Sequence, residues 1–168
     1  MKWKLLINFL SYYFAWIGIA ICAQHELFTA VWGILLCFLF IHFRFVSEDR
    51  LREFKSILLC SLLGISLDSI LHHLNLFQFK SNYLIWLLPI WIIFTSTINH
   101  SLKLFLNNRA YIVFIIGGLA GPLSYFFASK FNLIIYQISI STLFIHFFIW
   151  GILMLYFKFK RNLYAQNI

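Results

Sequence analysis

Charged residues are scarce in this 168-residue chain. Only 11% of its residues are Asp, Glu, Lys or Arg, whereas 62% are hydrophobic. A water-soluble domain has about a quarter of its residues charged, because it must present a polar surface to water. The composition therefore argues against a soluble globule and indicates a protein whose outer surface faces lipid.

Cysteine and catalytic sequence motifs are also sparse or missing. The three cysteines, Cys22, Cys37 and Cys60, lie inside apolar stretches, and no two have the spacing of a zinc or redox motif. The chain contains no H-x-x-x-H or H-E-x-x-H pattern, no G-x-S-x-G and no Walker loop. We therefore predict no metal site and no cofactor, and no enzyme class is indicated.

What the chain has in abundance is long apolar runs. Six of them cover residues 5–23, 27–43, 56–74, 83–106, 111–129 and 133–157. Each is close to the roughly 20 residues with which an α-helix crosses a hydrocarbon core of about 30 Å. The connections are short and no internal repeat divides the chain. The pattern predicts an all-α fold, a single integral membrane domain over residues 1–168 built as a bundle of six transmembrane helices.

Basic residues alternate between the two sides of this bundle. Eleven of the 13 Lys and Arg residues lie on one side: before the first run, between the second and third runs, at or after the end of the fourth run, and in the carboxyl tail. Only Lys80 and Lys130 lie on the other side. Basic loops stay in the cytoplasm, so both termini are predicted to be cytoplasmic. Short loops of this kind suit a bacterial inner membrane.

The same charge pattern explains the net charge of +8 without a nucleic-acid partner, since short basic loops anchor at an anionic membrane surface. Residues 44–55 mix three acids, Glu53 among them, with four cations, and we interpret this segment as a solvated amphipathic turn. The predicted partner is thus the lipid bilayer, together with a lipid-like or small-molecule ligand. A homodimer stays an open alternative, because six helices of this size leave little room for a solute pathway within one protomer.

Asp68 is the only carboxylate within an apolar run. At helical spacing it shares a face with Ser61, Gly64 and His72, which form a polar stripe toward the outer surface. Ionisable groups are costly inside a membrane and are enriched in functional sites. A protonated or hydrogen-bonded Asp68 that only fixes helix packing is the alternative, and the sequence leaves both open.

The fourth run ends in a dense polar segment, Thr95–Ser101, which contains Asn99 and His100. The segment is either part of a site or a cap at the membrane surface, where water makes such residues inexpensive. In the fifth run Gly117 and Gly121 predict close approach of another helix, and Pro122 predicts a kink that frees a backbone carbonyl. The freed carbonyl is either available to a ligand or satisfied by Ser124.

Depth arithmetic groups several of these residues. With a rise of about 1.5 Å per residue from the cytoplasmic ends, Asp68 and His146 lie about 17–18 Å deep, and Pro122 to Ser124 about 17–20 Å deep. His146 stands alone among apolar neighbours and is more typical of a packing histidine. The candidate intramembrane polar site comprises Asp68, His72, Asn99, His100, Gly121, Pro122, Ser124, Tyr125 and His146.

Several of these segments together resemble an uncharacterised family of small bacterial inner-membrane proteins. The residues that carry the resemblance are Asn8, Trp16, Gly64 to Ser69, Asn99-His100-Ser101-Leu102 and Gly121-Pro122-Leu123-Ser124-Tyr125. The resemblance implies no established activity. Members of such a family are often encoded beside enzymes that modify membrane fatty acids, and this association favours a role in lipid chemistry.

Three hypotheses follow from the sequence. The bundle binds or moves a small or lipid-like molecule, with Asp68 as a proton-linked or hydrogen-bonding group beside Pro122. Alternatively it is a membrane enzyme or enzyme subunit in fatty-acid modification, with Asn99 and His100 as acid-base or orienting groups. A scaffold for other membrane proteins is the third. The polar stripe and glycine-rich helix favour the first, because they describe a cavity better than a reaction centre.

Overall fold

Helices make up most of the fold. A computed structural model describes residues 2–80 and 82–166, with side chains up to residue 162. Over these residues the chain forms seven α-helices and one two-stranded ladder: α1 Lys2–Gln24, α2 Phe28–Ile41, α3 Arg50–His73, β1 Gln78–Phe79, α4 Tyr83–Thr95, α5 Lys103–Leu106, α6 Ala110–Lys130, β2 Ile134–Ile135 and α7 Ile140–Gln166. A π-helical turn, His42–Val46, continues α2.

The helices have the length and composition of membrane spans. Among the described residues, α1, α2 with its π-helical turn, α3, α6 and α7 are long and apolar enough to cross a bilayer, and α4 is a shorter apolar helix of 13 residues. Large hydrophobic side chains are exposed all round the bundle, as on Phe14, Leu36 and Phe144. Side chains of this kind suit contact with lipid. The predicted all-α, multi-pass membrane protein is confirmed at this level.

The fourth apolar run is not one helix, which corrects the prediction of a continuous span over 83–106. Helix α4 ends at Thr95, the chain turns through residues 96–102, and only the single turn α5 resumes. The physical reason lies in the hydroxyl side chains. Ser96 Oγ donates to Ile93 O at 2.7 Å and Thr97 Oγ1 to Phe94 O at 2.6 Å, and such local bonds compete with the helical ladder.

Two further boundaries differ from the predicted ones. Helix α3 begins at Arg50 rather than near residue 56, because Asp49 caps it by accepting a hydrogen bond from Arg52 N at 3.1 Å. Helix α7 begins at Ile140 rather than residue 133. The residues before it form β2, which pairs antiparallel with β1 in the register Gln78 to Ile135 and Phe79 to Ile134.

Side-chain contacts show how the elements are arranged. Lys4 of α1 is ion-paired with Glu48, between α2 and α3, at 2.8 Å. At the same end, Lys158 of α7 donates to Leu106 O at 2.7 Å and to Asn108 O at 2.8 Å. Neighbouring helices run antiparallel, so the start of α1 and the end of α7 lie at one end of the bundle and the β1–β2 ladder at the other.

Helices α6 and α7 pack closely against each other, and glycines on α6 explain it. A Cβ atom on Gly117 would lie 2.5 Å from Met154 Cγ, and one on Gly121 would lie 2.1 Å from Trp150 Cγ. The predicted close approach at this pair of glycines is confirmed. Pro122 lies within the continuous helix α6, and Ser124 Oγ donates to Gly121 O at 2.7 Å.

We expect Gly121→Ala to destabilise the protein by about 1–3 kcal/mol, because the added methyl group overpacks the contact with Trp150. Gly33→Ala is the matched control, since a Cβ atom at this helical glycine meets nothing within 4 Å. Unfolding in detergent, followed by circular dichroism, measures both. Equal stability of the two variants would contradict the assigned packing.

Candidate functional site

Asp68 lies at the centre of a hydrogen-bond network between four helices. Its Oδ2 accepts from Trp91 Nε1 of α4 at 2.8 Å, and its Oδ1 accepts from the Tyr125 hydroxyl of α6. Trp150 Nε1 of α7 in turn lies 3.3 Å from the Tyr125 hydroxyl oxygen, to which it donates. Asp68 is 4% exposed, and protein donors satisfy both of its oxygens, as a buried carboxyl group requires.

Glycine positions the two tryptophans of this network. A Cβ atom on Gly64 would lie 2.2 Å from the Trp91 ring, just as one on Gly121 would collide with Trp150. The two indole rings stack with centroids 5.7 Å apart and planes 16° from parallel. Each indole therefore packs against a glycine of a neighbouring helix. Trp91 donates to Asp68 and Trp150 to the Tyr125 hydroxyl.

A cavity of about 450 Å³ adjoins this network. This volume is within the range of about 300–1,000 Å³ that is typical of ligand sites. Its wall is mainly aromatic and aliphatic, with Asp68, Tyr125, Ser124, Thr97 and Ser101 as polar members. Most of the lining comes from α1, α4, α6 and α7; representative residues are Tyr12, Trp16, Trp91, Phe94, Ala120 and Met154.

The cavity opens between α1 and α6. Three of its lining side chains, Phe9 and Tyr13 of α1 and Ile116 of α6, are 47%, 48% and 49% exposed. In a bundle surrounded by lipid, side chains exposed at this position face the bilayer. A molecule dissolved in the membrane can therefore reach the cavity from the side.

The remaining predicted site residues are divided between the network and other places. His146 packs its ring against Tyr125 at 4.6 Å between centroids, and its Nδ1 lies 2.8 Å from Thr142 O. His72 lies near the β1–β2 ladder, with Nδ1 3.4 Å from Phe77 O, and does not line the cavity. The structure thus brings Asp68, Gly121, Ser124, Tyr125 and His146 together and leaves His72 outside.

His100 belongs to a second polar group, which we call the inner cluster: Asn8, His42, Glu53, His100 and Ser101. Asn99 precedes His100 in the same turn. The inner cluster lies at the end of the bundle that holds Lys4 and Lys158. Asn8 of α1 is fully buried, and its Oδ1 accepts from Ser101 N at 3.1 Å and Ser101 Oγ at 2.6 Å. Its Nδ2 lies 3.3 Å from His42 Nδ1.

Glu53 joins two histidines in the inner cluster. Its Oε1 lies 3.3 Å from His100 Nε2 and 3.7 Å from His42 Nε2. The side chains of His42, Glu53 and His100 are 0%, 2% and 15% exposed. The interpretation of residues 44–55 as a solvated turn is therefore wrong for Glu53, which is buried on α3 rather than exposed in a loop.

Two signals in the sequence could have identified the missed residues. The buried face of α3 consists of Ile57, Cys60, Ser61, Gly64, Asp68 and Leu71, and one further helical turn toward the amino terminus reaches Glu53. The buried face of α2 follows Val31, Leu35 and Phe38, which places His42 on the same stripe. Asn8 has no comparable periodic signal, since it is an isolated amide in an apolar run; only the family resemblance singles it out.

We expect Asp68→Asn and Tyr125→Phe to be coupled by about 1–2 kcal/mol in a double-mutant cycle of unfolding free energy. An amide has only one acceptor oxygen, so Asp68→Asn would leave one of the two donors unmatched, and Tyr125→Phe removes one donor. Circular dichroism in detergent measures the cycle. Tyr156→Phe, on a 40% exposed tyrosine, is the control and should be additive with Asp68→Asn. Additivity for Tyr125→Phe as well would contradict the network.

Comparison with known proteins gives a family. The chain matches the family described as "Protein of unknown function (DUF2878)" over residues 5–156. No curated protein and no solved structure matches the chain significantly. The matched residues include both the cavity and the inner cluster, and they confirm the resemblance to an uncharacterised family. The chain therefore belongs to the DUF2878 family of proteins of unknown function.

Proposed function

We propose that this protein binds an elongated apolar molecule, such as a fatty acid or another single acyl chain, in the cavity between α1, α4 and α6. The observation that carries the proposal is the aromatic and aliphatic wall of this cavity of about 450 Å³. A ligand buried there exchanges lipid surroundings for fixed aromatic rings, so its affinity comes from shape and packing more than from leaving water.

The opening between α1 and α6 supports a ligand that arrives through the bilayer. Phe9, Tyr13 and Ile116 line the cavity and are about half exposed at the same time. A water-soluble solute would need a polar path from one aqueous surface. The polar atoms in the wall are few, which favours a lipid-like ligand over a hydrated one.

The polar members of the wall give the ligand an orientation. Ser101 and Thr97 lie toward the inner cluster, whereas Asp68 and Tyr125 lie farther along the cavity and are occupied with one another. A ligand headgroup that donates a hydrogen bond is better accommodated near Ser101 and Thr97, close to one membrane surface. Both hydroxyls already donate within the protein, to Asn8 Oδ1 and Phe94 O, but their oxygens can still accept. An acyl-chain enzyme that uses Asn99 and His100 is less well supported, because neither residue lines the cavity.

We further propose that α4 completes six crossings of a bacterial inner membrane and that both termini are cytoplasmic. The alternation of basic residues supports this orientation. A helix of 13 residues spans only about 20 Å, but the turn over residues 96–102 and α5 extend the same path toward the surface. Non-helical backbone at such a depth is tolerated when protein buries it, and Ser96 and Thr97 are buried here.

Reporter fusions test this topology. We expect alkaline phosphatase, which is active only outside the cytoplasm, to be active after Lys80 and inactive after Asn108. Green fluorescent protein at the carboxyl terminus should fluoresce. Active phosphatase at both positions would mean that α4 does not cross, and the six-span proposal would fail.

Photolabelling tests the ligand site. We expect a fatty acid that carries a diazirine to label the purified protein, and excess unlabelled fatty acid to suppress the specific part of this labelling. Ala120→Trp should reduce the specific labelling by about tenfold, which corresponds to about 1.4 kcal/mol. The reason is steric, since Ala120 lines the cavity and an indole would fill part of it.

Leu119→Trp provides the matched control. Leu119 is the neighbouring residue of α6, is 61% exposed and does not line the cavity. It should keep wild-type labelling, because its indole would point into lipid. Equal loss in both variants, or equal retention, would show that the probe labels the lipid-facing surface and would refute binding in the cavity.

A further inference from the structure

The inner cluster contains three potential metal ligands from three separate segments. His42 comes from the π-helical turn after α2, Glu53 from the first turn of α3, and His100 from the turn over residues 96–102. One ligand atom from each lies within 4.8 Å of the other two. Residues 42, 53 and 100 are too far apart in sequence to form a motif, which is why the sequence predicted no metal.

The distances suit a single ion. Two ligand atoms that are each about 2.1 Å from a tetrahedral ion lie about 3.4 Å apart. Glu53 Oε1 lies 3.3 Å from His100 Nε2 and 3.7 Å from His42 Nε2. Only small side-chain movements would therefore bring the three atoms to bonding distance of a common centre.

The Nε2 atoms of the two histidines point into this centre. Within the described part of the chain, neither His42 Nε2 nor His100 Nε2 has a hydrogen bond of ordinary geometry, although both are buried. The imidazole rings lie 5.2 Å apart between centroids and are 78° from parallel, so their nitrogens converge without stacking of the rings. Both nitrogens face Glu53 Oε1 as ion-pair partners, and a cation placed between the three atoms would be bound by all of them at once.

We propose that His42, Glu53 and His100 bind one divalent first-row transition-metal ion. Two imidazoles and one carboxylate are ligands suited to Zn²⁺ and Fe²⁺, and hard cations such as Mg²⁺ prefer sites made only of oxygen. The Glu53 charge offsets part of the charge of the ion. Three protein ligands leave a fourth position open. The ion can reach the site on the His100 side, where that side chain is 15% exposed.

Asn8 contacts Nδ1 of His42, the ring nitrogen that would not bind the metal, and this contact provides a second test of the proposal. The backbone N–H of Ser101 can only donate, which assigns Oδ1 of Asn8 as its acceptor and Nδ2 as the atom facing His42 Nδ1. An imidazole that binds a metal through Nε2 carries its proton on Nδ1, which then needs an acceptor. Metal binding through Nε2 therefore requires the Asn8 amide to turn over, so that Oδ1 accepts from His42 Nδ1–H. Ser101 Oγ can then accept from Nδ2, but Ser101 N–H loses its acceptor, and this cost opposes metal binding in the wild-type protein.

Metal titration of the full chain tests the site. The protein is purified in detergent with a tag that contains no histidine, treated with a chelator and titrated with Zn²⁺ in equilibrium dialysis, with metal measured by mass spectrometry. We expect one Zn²⁺ per protomer. His42→Ala and His100→Ala should each weaken binding at least tenfold, whereas His73→Ala, an exposed histidine at the opposite end of α3, should bind as wild type does.

Asn8→Asp should increase the affinity for Zn²⁺, and a variant that had failed to fold could not show such an increase. A carboxylate at this position can accept from Ser101 and from His42 Nδ1–H together, so we expect Zn²⁺ to bind about tenfold tighter. Thermal unfolding keeps the loss variants interpretable. At a fixed Zn²⁺ concentration the melting temperature should rise for wild type and for Asn8→Asp, and it should rise less for folded His42→Ala.

Three outcomes would overturn the proposal. The first is no Zn²⁺ bound by the wild-type protein. The second is equal loss in His73→Ala and His100→Ala, which would assign binding to exposed histidines. The third is unchanged or weaker binding in folded Asn8→Asp, since residue 8 would then not be the hydrogen-bond partner of His42 Nδ1 when the metal is bound. The cavity proposal is independent of all three, because none of these variants replaces a residue that lines the cavity.

Discussion

The early end of α4 at Thr95 is the constraint on which both polar regions depend. Backbone groups in hydrocarbon have no water to bond with, so a turn below the membrane surface must be enclosed by protein. Residues 95–97 meet this requirement with their own hydroxyls, and Thr95 also pairs with Ser61 of α3 at 2.8 Å. The turn is thereby held against α3 and α1, and it carries His100 and Ser101 to positions that a continuous helix would not give them.

The network around Asp68 performs a different task at the other end of the cavity. A carboxylate with two protein donors orients side chains, and here it orients Trp91 from one helix pair and Tyr125 from the other. The close helix pair of α6 and α7 would otherwise be joined to α3 and α4 mainly by apolar contacts, which are weakly directional in a membrane. Asp68 therefore fixes the relative position of the two pairs and, with it, the part of the cavity wall that Trp91 and Tyr125 form.

Sequence reasoning identifies the class of fold and one of the two polar regions. Hydropathy predicts the helices because length and composition alone decide whether a segment can cross a bilayer. It fails at Thr95, where a run of hydroxyls turns the chain although the residues stay apolar enough for a span. The predicted stripe through Asp68 stops short of the first turns of α3, so Glu53 is assigned to a charged loop. His42 and Asn8 meet His100 and Ser101 only through tertiary packing, which no spacing in one sequence reveals.

Ser101 links the two regions physically. Its backbone and hydroxyl both bond to Asn8, which contacts His42, while the same residue lines the inner end of the cavity. A ligand headgroup that accepted from the Ser101 hydroxyl would compete with Asn8 for it, and Asn8 would then be less firmly held in the orientation that faces Nδ2 toward His42. A ligand in the cavity can therefore affect the inner cluster through the hydrogen bonds of only two residues, Ser101 and Asn8, without movement of a helix.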